Sequence, residues 1–316
     1  MRIVFMGTPE FAVASLDALV NSQYDVVGVV TVPDKQAGRG RKIRTSAVKD
    51  YAVDKNITLL QPEKLKNPEF IEALKALKAD LFVVVAFRML PKIVWSMPKN
   101  GTFNIHASLL PQYRGAAPIN HAIINGEKET GLTTFMIDEE IDTGRIIQQK
   151  RIKILDDEDA GSLHDRLMEL SKSIVVETCE LIKGGNTKLI SQKEFIKENI
   201  QLNEAPKIFK DNCRISPDLG VEKSELLARG LSPYPAAFVE IESPNGEIFS
   251  LKIFKVKTIR EKSLQGKIFT DGKSSLALGF NDGKLLLEDI QLQNKKRMKI
   301  TDFLRGFDIS SDWKWK

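Results

Sequence analysis

The chain has 316 residues, 42% hydrophobic and 28% charged, with 47 Lys and Arg against 42 Asp and Glu. This is enough apolar material for two domains with separate cores, and it excludes a disordered or fibrous protein. No apolar stretch approaches the roughly 20 residues of a membrane span, and the amino-terminal apolar run is too short for a signal peptide, so a cytosolic protein is expected.

Taken in order, Arg2 to Met6 predicts a short buried strand, Gly7-Thr8 a turn, and Pro9 to Asn21 a helix with apolar Phe11, Ala14, Leu16 and Leu19. Val26 to Val32 is a second strand. Residues 63 to 78 carry helical periodicity through Leu65, Phe70, Ile71, Leu74 and Leu77, and Asp80 to Ala86 reads as a strand buried on both faces. This β-α-β order predicts an α/β fold with a doubly wound, mostly parallel sheet. A dinucleotide site is the usual tenant of such a beginning, but Gly7-Thr8-Pro9-Glu10 lacks the spaced glycines that admit a pyrophosphate. Gly38-Arg39-Gly40 also lacks the third glycine and leads into a basic run. Between Lys35 and Lys49 stand Lys35, Arg39, Arg41, Lys42, Arg44 and Lys49 without one acid. Such a run is often only a solvated loop, but the glycines beside it suit it to ordering on phosphates.

In Phe103-Asn104-Ile105-His106 the period of two puts Asn104 and His106 on the same side of a strand. The strand opens into Ala107-Ser108-Leu109-Leu110-Pro111 and the turn-rich Arg114-Gly115-Ala116-Ala117-Pro118. The polar pair therefore sits at a strand end, where open α/β sheets bind ligands. A further strand, Gly131 to Ile137, delivers Asp142-Thr143-Gly144. An amide can donate to a developing oxyanion, a histidine can donate to it or carry a proton, and a carboxylate can orient the histidine and favour its charged form. Asn104, His106 and Asp142 thus suit acyl transfer with no covalent intermediate, and the chemistry requires no metal or nucleophilic serine. An isolated Asn-x-His is more often structural; the loop beside it favours the catalytic reading.

Ile146-Ile147 resumes an extended pattern, and Ser162 to Lys183 is a long amphipathic helix with Ser162 as its N-cap and Gly184-Gly185 as its stop. Cys179 and Cys213 have no metal-ligand spacing and read as reduced bystanders. His121 and His164 receive no catalytic role. Ile190 to Glu204 is polar and weakly periodic, a linker separating a domain at 1–189 from one at 205–316. The second domain has a helix around Glu222 to Arg229, then strands at Ala237 to Ile241, Ile248 to Val256, Gly266 to Phe269, Leu276 to Leu278 and Lys284 to Ile290. Short strands joined by turns such as Asn281-Asp282-Gly283 imply a small β-barrel. Residues 205–316 hold 20 Lys and Arg against 15 Asp and Glu, so the whole positive excess lies there, compatible with a polyanionic partner.

These motifs resemble the methionyl-tRNA formyltransferase family along essentially the whole chain. The resemblance is carried by Phe5-Met6-Gly7-Thr8-Pro9-Glu10-Phe11, Pro33-Asp34-Lys35 with Gly38-Arg39-Gly40, Asn104 to Pro111, Tyr113 to Pro118 and Asp142-Thr143-Gly144. Ala205-Pro206-Lys207-Ile208 and Arg229-Gly230-Leu231-Ser232-Pro233-Tyr234-Pro235 continue it in the second domain. The resemblance implies transfer of the formyl group of 10-formyltetrahydrofolate to the α-amino group of methionine on initiator tRNA, in translation initiation. It assigns Asn104 and His106 to the tetrahedral oxyanion and Asp142 to orienting and charging His106. It places the folate against Ser108, Leu109, Leu110 and Pro111 and beside Phe87, Arg88, Met89 and Leu90. Many relatives have Tyr-Gly where this chain has Phe87-Arg88. The resemblance also brings the basic loop to the acceptor end of the tRNA; within it Arg39 and Arg41 are expected to make the closest contacts and Lys42 to add phosphate attraction, while Lys207, Lys210 and the Lys295 to Lys299 cluster read as general surface charge. A monomer without metal or membrane attachment is expected. The nearest alternative is a formyltransferase acting on a small amine, glycinamide ribonucleotide or an amino sugar, which leaves the basic loop and second domain unexplained. A tRNA-binding protein with a degenerate site is disfavoured by the intact trio.

Overall fold

The computed structural model describes residues 1–37, 42–185, 187–196 and 201–316. They form two compact units, one of Met1–Pro118, Glu129–Lys153 and His164–Glu204, the other of Ile119–Lys128, Ile154–Leu163 and Ala205–Lys316.

The first unit is built on a seven-stranded sheet in the order Ile146–Lys153, Glu129–Met136, Thr102–His106, Leu81–Val85, Arg2–Gly7, Asp25–Val30, Leu59–Leu60. The five strands from Thr102–His106 to Leu59–Leu60 pair in parallel; Glu129–Met136 runs against them, and Ile146–Lys153, antiparallel to Glu129–Met136, runs with the five, as the doubly wound, mostly parallel expectation requires. Leu81–Val85 is buried throughout, which explains its unbroken run of Leu, Phe and Val. The chain enters at the centre, builds outward to Leu59–Leu60, then returns to the other side of Arg2–Gly7. Strand order therefore reverses between Arg2–Gly7 and Leu81–Val85, and the carboxyl ends beside that reversal are where an open sheet leaves a crevice.

Helix Glu10–Val20 starts on Pro9, with Glu10 favourably placed against the helix dipole, and buries Phe11, Ala12, Ala14, Ser15, Leu16 and Leu19. The helix expected over 63–78 is confined to Pro68–Ala76. Pro68 disfavours helical backbone at Asn67, and the Asn67 side chain accepts from Glu69 N at 3.0 Å, so the periodic residues before it remain outside. The long helix begins at Ala160, earlier than expected, and ends at Lys183. Asp159 rather than Ser162 caps it: Asp159 Oδ1 accepts from Ser162 N at 2.8 Å while Ser162 Oγ accepts from Asp159 N at 3.1 Å. Helix Ala47–Asp54 starts at the end of the basic run and extends past it; Ser46 caps it, accepting from Lys49 N, and Val48 and Ala52 are its buried residues.

Asp80 anchors the start of the first strand. Its Oδ2 accepts from Arg2 N at 2.8 Å and its Oδ1 lies 2.9 Å from Lys99 Nζ, and these contacts hold its carboxyl below the usual carboxylate range. A carboxyl lowered on folding contributes stability above its unfolded value of about 3.9 and loses it as pH falls through the folded value. Asp80→Asn should therefore lower the Tm at neutral pH, and its difference from the parent should shrink as the pH drops below about 4. A pH-independent difference in thermal melts would contradict this.

The second unit contains an antiparallel sheet in the order Ile268–Thr270, Leu276–Phe280, Gly283–Leu292, Ile248–Ile259, Ala237–Glu242, Lys314–Trp315. A bridge between Lys267 and Lys314, with Trp315 N donating to Gly266 O at 3.1 Å, brings the two edges together into a nearly closed barrel. Alternation along Ala237–Glu242 sends Ala237, Val239 and Ile241 inward to meet Leu251, Ile253 and Leu287. Helix Val221–Leu231 adds Val221, Ala228 and Leu231 to that core. Cys179 and Cys213 are buried free thiols that burial pushes up from their ordinary range, which keeps them unreactive. No described helix is long and apolar enough to cross a membrane.

Candidate active site

Asn104 and His106 lie on Thr102–His106, the last strand paired in parallel, where period-two geometry gives both side chains one face. Their neighbours are Val84 on one side and, on the antiparallel side, Phe135 opposite Asn104 and Thr133 opposite His106. The Asn104 side chain is half-buried, and no described protein group hydrogen-bonds to it. An amide held at a strand end with its donors unspent is ready for a ligand.

His106 is 6% exposed and held by a hydrogen bond at one ring nitrogen. Nε2 lies 2.8 Å from Tyr113 O; a carbonyl only accepts, so Nε2 carries a ring proton. Nδ1 faces Asp142 Oδ2 at 3.7 Å, beyond a direct hydrogen bond. The expected pairing of histidine and carboxylate is therefore present as an ion-pair distance, while the ring is oriented mainly from its other side by Tyr113. Asp142 Oδ2 is itself fixed, accepting from Gly115 N at 3.0 Å. Asp142 has φ +55°, a left-handed backbone uncommon outside glycine that the surrounding bonds must hold. Two residues on, Gly144 passes so close to the sheet that a Cβ there would stand 1.7 Å from Met136 O.

The loop after His106 is held from within. Ser108 Oγ donates to Gln112 O at 2.6 Å, Thr133 Oγ1 donates to Ser108 O at 2.6 Å, and Gln149 Nε2 donates to Leu110 O at 2.8 Å. Ser108, Leu110 and Pro111 are buried, and Leu109 is half-buried. The Ser108 hydroxyl is thus spent on the loop's own shape, and this stretch builds a rigid wall. Phe87 to Leu90 leave the sheet beside Asn104, immediately after Ala86 at φ +48°. Leu90 is buried in the core, Met89 is 69% exposed, and Arg88 donates to Pro62 O at 2.8 Å and Glu63 O at 3.0 Å. Arg88 also lies over the Phe87 ring at 5.4 Å, and burial pushes its guanidinium down from its usual range.

Of the basic segment, strands Lys35–Ala37 and Lys42–Arg44 pair as an antiparallel ladder. Arg39 and Arg41 lie outside the described residues, and Lys42 is described in its backbone only. Lys49 forms an ion pair with Asp34, whose carboxyl is held below its usual range by Lys49 and Gln61, so that cation is already matched. Among the described residues no cluster of three or more His, Cys, Asp and Glu could hold a metal ion.

Gln192 escaped the sequence reading. It is 3% exposed, and its Nε2 donates to Asp142 O at 2.8 Å and Gly144 O at 2.9 Å. It lies in the stretch read as a linker, where Ser191 and Glu194 form a capping box around the short turn Gln192–Phe195. The Ser-x-x-Glu spacing was the available signal that this stretch is ordered.

Two family models match the chain: "Formyl transferase" over residues 1–179 and "Formyl transferase, C-terminal domain" over 207–308. A methionyl-tRNA formyltransferase of Bacteroides fragilis is 52% identical over 100% of this chain and 98% of its own length. Another, of Parabacteroides distasonis, is 54% identical over 97% of this chain and 96% of its own length. Among solved structures, a sugar 3N-formyl transferase determined in the presence of dTDP and 5-N-formyl-THF aligns with a TM-score of 0.62 at 24% identity, over 94% of this chain and 99% of its own, and shares the fold. With both domain models matched and relatives of more than half identity along its whole length, the chain belongs to the methionyl-tRNA formyltransferase family, enzymes that transfer a formyl group.

Proposed function

We propose that this protein transfers the formyl group of 10-formyltetrahydrofolate to the α-amino group of methionyl initiator tRNA, acting in the cytosol as a monomer. The observation that carries the chemistry is the pairing of an unpartnered Asn104 amide with a fixed His106 on one strand face, with Asp142 Oδ2 3.7 Å from the ring. Likeness to methionyl-tRNA formyltransferases over nearly the full length of both chains supports the acceptor.

Attack of a neutral amine on a formyl carbon leaves negative charge on the formyl oxygen, and preorganised donors aimed at that oxygen lower the barrier. Asn104 supplies an amide N–H to it. His106, with Nε2 held by Tyr113 O, has Nδ1 left to receive the proton that leaves the amine, directly or through a water, to donate toward the oxygen while the tetrahedral centre lasts, and to pass that proton to N10 of the folate as the carbon–N10 bond breaks and the carbonyl re-forms. Asp142, fixed by Gly115 N, faces the positive charge that the proton brings. For the folate, Phe87, Met89 and Leu109 offer accessible apolar surface after the strand ends, Arg88 stands beside them, and Ser108, Leu110, Pro111 and Leu90 support that surface from within, a lining that fits a flat heterocycle.

Residues 1–189 form the catalytic domain in this reading, 190–204 join it to the second, and 205–316 meet the tRNA. Arg39, Arg41 and Lys42 approach its acceptor end. Their replacement by alanine together should raise the KM for tRNA and lower the slope of log KM against log salt by about 2 to 3, since each lost phosphate contact removes roughly one released counterion. An unchanged slope would remove the loop from the interface. The acceptor itself is tested with labelled 10-formyltetrahydrofolate: methionyl initiator tRNA should be formylated, while uncharged tRNA, glycinamide ribonucleotide and amino-sugar nucleotides should not. Faster transfer to either small amine would overturn the assignment.

A further inference from the structure

We propose that Gln192 is a positioning residue for formyl transfer, one buried amide that fixes the turn bearing Asp142 against the loop whose backbone grips His106. The inference rests on the formyl-transfer reading for its kinetic consequence.

The Gln192 side chain uses its full hydrogen-bonding capacity. Its Nε2 gives one N–H to Asp142 O at 2.8 Å and the other to Gly144 O at 2.9 Å, and its Oε1 accepts from Arg114 Nε at 3.1 Å and Arg114 Nη2 at 2.6 Å. Arg114 stands between the two residues that touch the catalytic pair: Tyr113, whose carbonyl holds His106 Nε2, and Gly115, whose N–H holds Asp142 Oδ2. The contacts close a circuit from Gln192 through the Asp142 backbone and carboxylate to Gly115, along the chain to Arg114, and back to Gln192. Asp142 keeps its left-handed backbone inside that circuit. Gln192 is in turn fixed to the sheet edge, since Ile190 and Ile146 exchange backbone hydrogen bonds at 2.9 and 2.8 Å.

Only a side chain with two donors and an acceptor at this length completes the circuit. Glutamate keeps the size and the Arg114 contact but turns two donations into carboxylate facing carbonyl; methionine keeps the volume and loses every bond. Gln192 is 3% exposed, so neither change alters surface open to a substrate.

The test uses the full chain with Gln192→Glu and Gln192→Met, each also combined with Asp142→Asn. The chain has only three histidines, so ¹⁵N signals of the His106 ring can be followed beside those of His121 and His164. Each Gln192 variant should lower kcat by about 10- to 100-fold, the scale expected for a small misplacement of catalytic groups. KM for folate and tRNA should stay near the parent values, and the variants should add little to the loss already caused by Asp142→Asn. The His106 ring signals should move while those of His121 and His164 stay. Should Gln192→Met fail to fold, Gln192→Glu carries the test. Parent-like kcat, or a loss that multiplies fully with Asp142→Asn while His106 signals stay fixed, would overturn the proposal. A parent enzyme inactive on every amine would instead overturn the formyl-transfer reading, and the His106 signals would still decide the positioning role.

Discussion

His106→Ala is expected to lower kcat for formyl transfer by about 100-fold or more while leaving both KM values close to those of the parent. The ring is buried and makes its short contact to a backbone carbonyl rather than to a group a substrate would bind, so its loss falls on the chemical step. Asp142→Asn should act in the same direction. An asparagine oxygen can still accept from Gly115 N, which preserves the turn, but the negative charge 3.7 Å from Nδ1 disappears. Steady-state kinetics with both substrates varied separates the cases: a loss in kcat supports the assignment, and a rise in KM with kcat unchanged would make these groups binding residues.

Gly144→Ala is the second large effect. An added Cβ would stand 1.7 Å from Met136 O and 3.2 Å from Phe135 Cδ2, so the turn must move by more than an ångström to make room. That turn carries Asp142, and a displacement of this size costs about 100-fold in rate. Strain in a tightly packed segment should also lower stability by about 1–3 kcal/mol. Gly306→Ala is the control, since an added methyl meets nothing within 4 Å there. Kinetics and thermal melts of the two variants should differ sharply; a parent-like Gly144→Ala would show the turn to be free to move.

The parts of the fold that could be read in advance were those with one dominant periodicity. Leu81–Val85 is a run of apolar residues because both faces are covered, and Ala237–Glu242 alternates because only one face meets the barrel core. Helix Ala47–Asp54 was missed because charge obscures its pattern; two buried residues, Val48 and Ala52, and the cap at Ser46 define it. Helix boundaries shifted where a local side chain outcompeted periodicity, at Asn67 and at Asp159. The members of the site were legible from short-range spacing on a strand, Asn104 to His106, but the partners were not. Tyr113 O, Gly115 N and Gln192 act through backbone groups or from a distant segment, and no local pattern announces which carbonyl a histidine will face. The 3.7 Å separation of His106 Nδ1 and Asp142 Oδ2 was equally beyond what local spacing can show.

Side-chain donors at the end of Thr102–His106 lower the barrier to formyl transfer itself in this mechanism. The most direct measurement is the single-turnover rate of Asn104→Ala with labelled 10-formyltetrahydrofolate and methionyl initiator tRNA both saturating, beside the equilibrium affinity for each. Loss of one oxyanion donor should slow the chemical step about 100- to 1,000-fold with both affinities held. A parent-like single-turnover rate, or a loss confined to affinity, would contradict it.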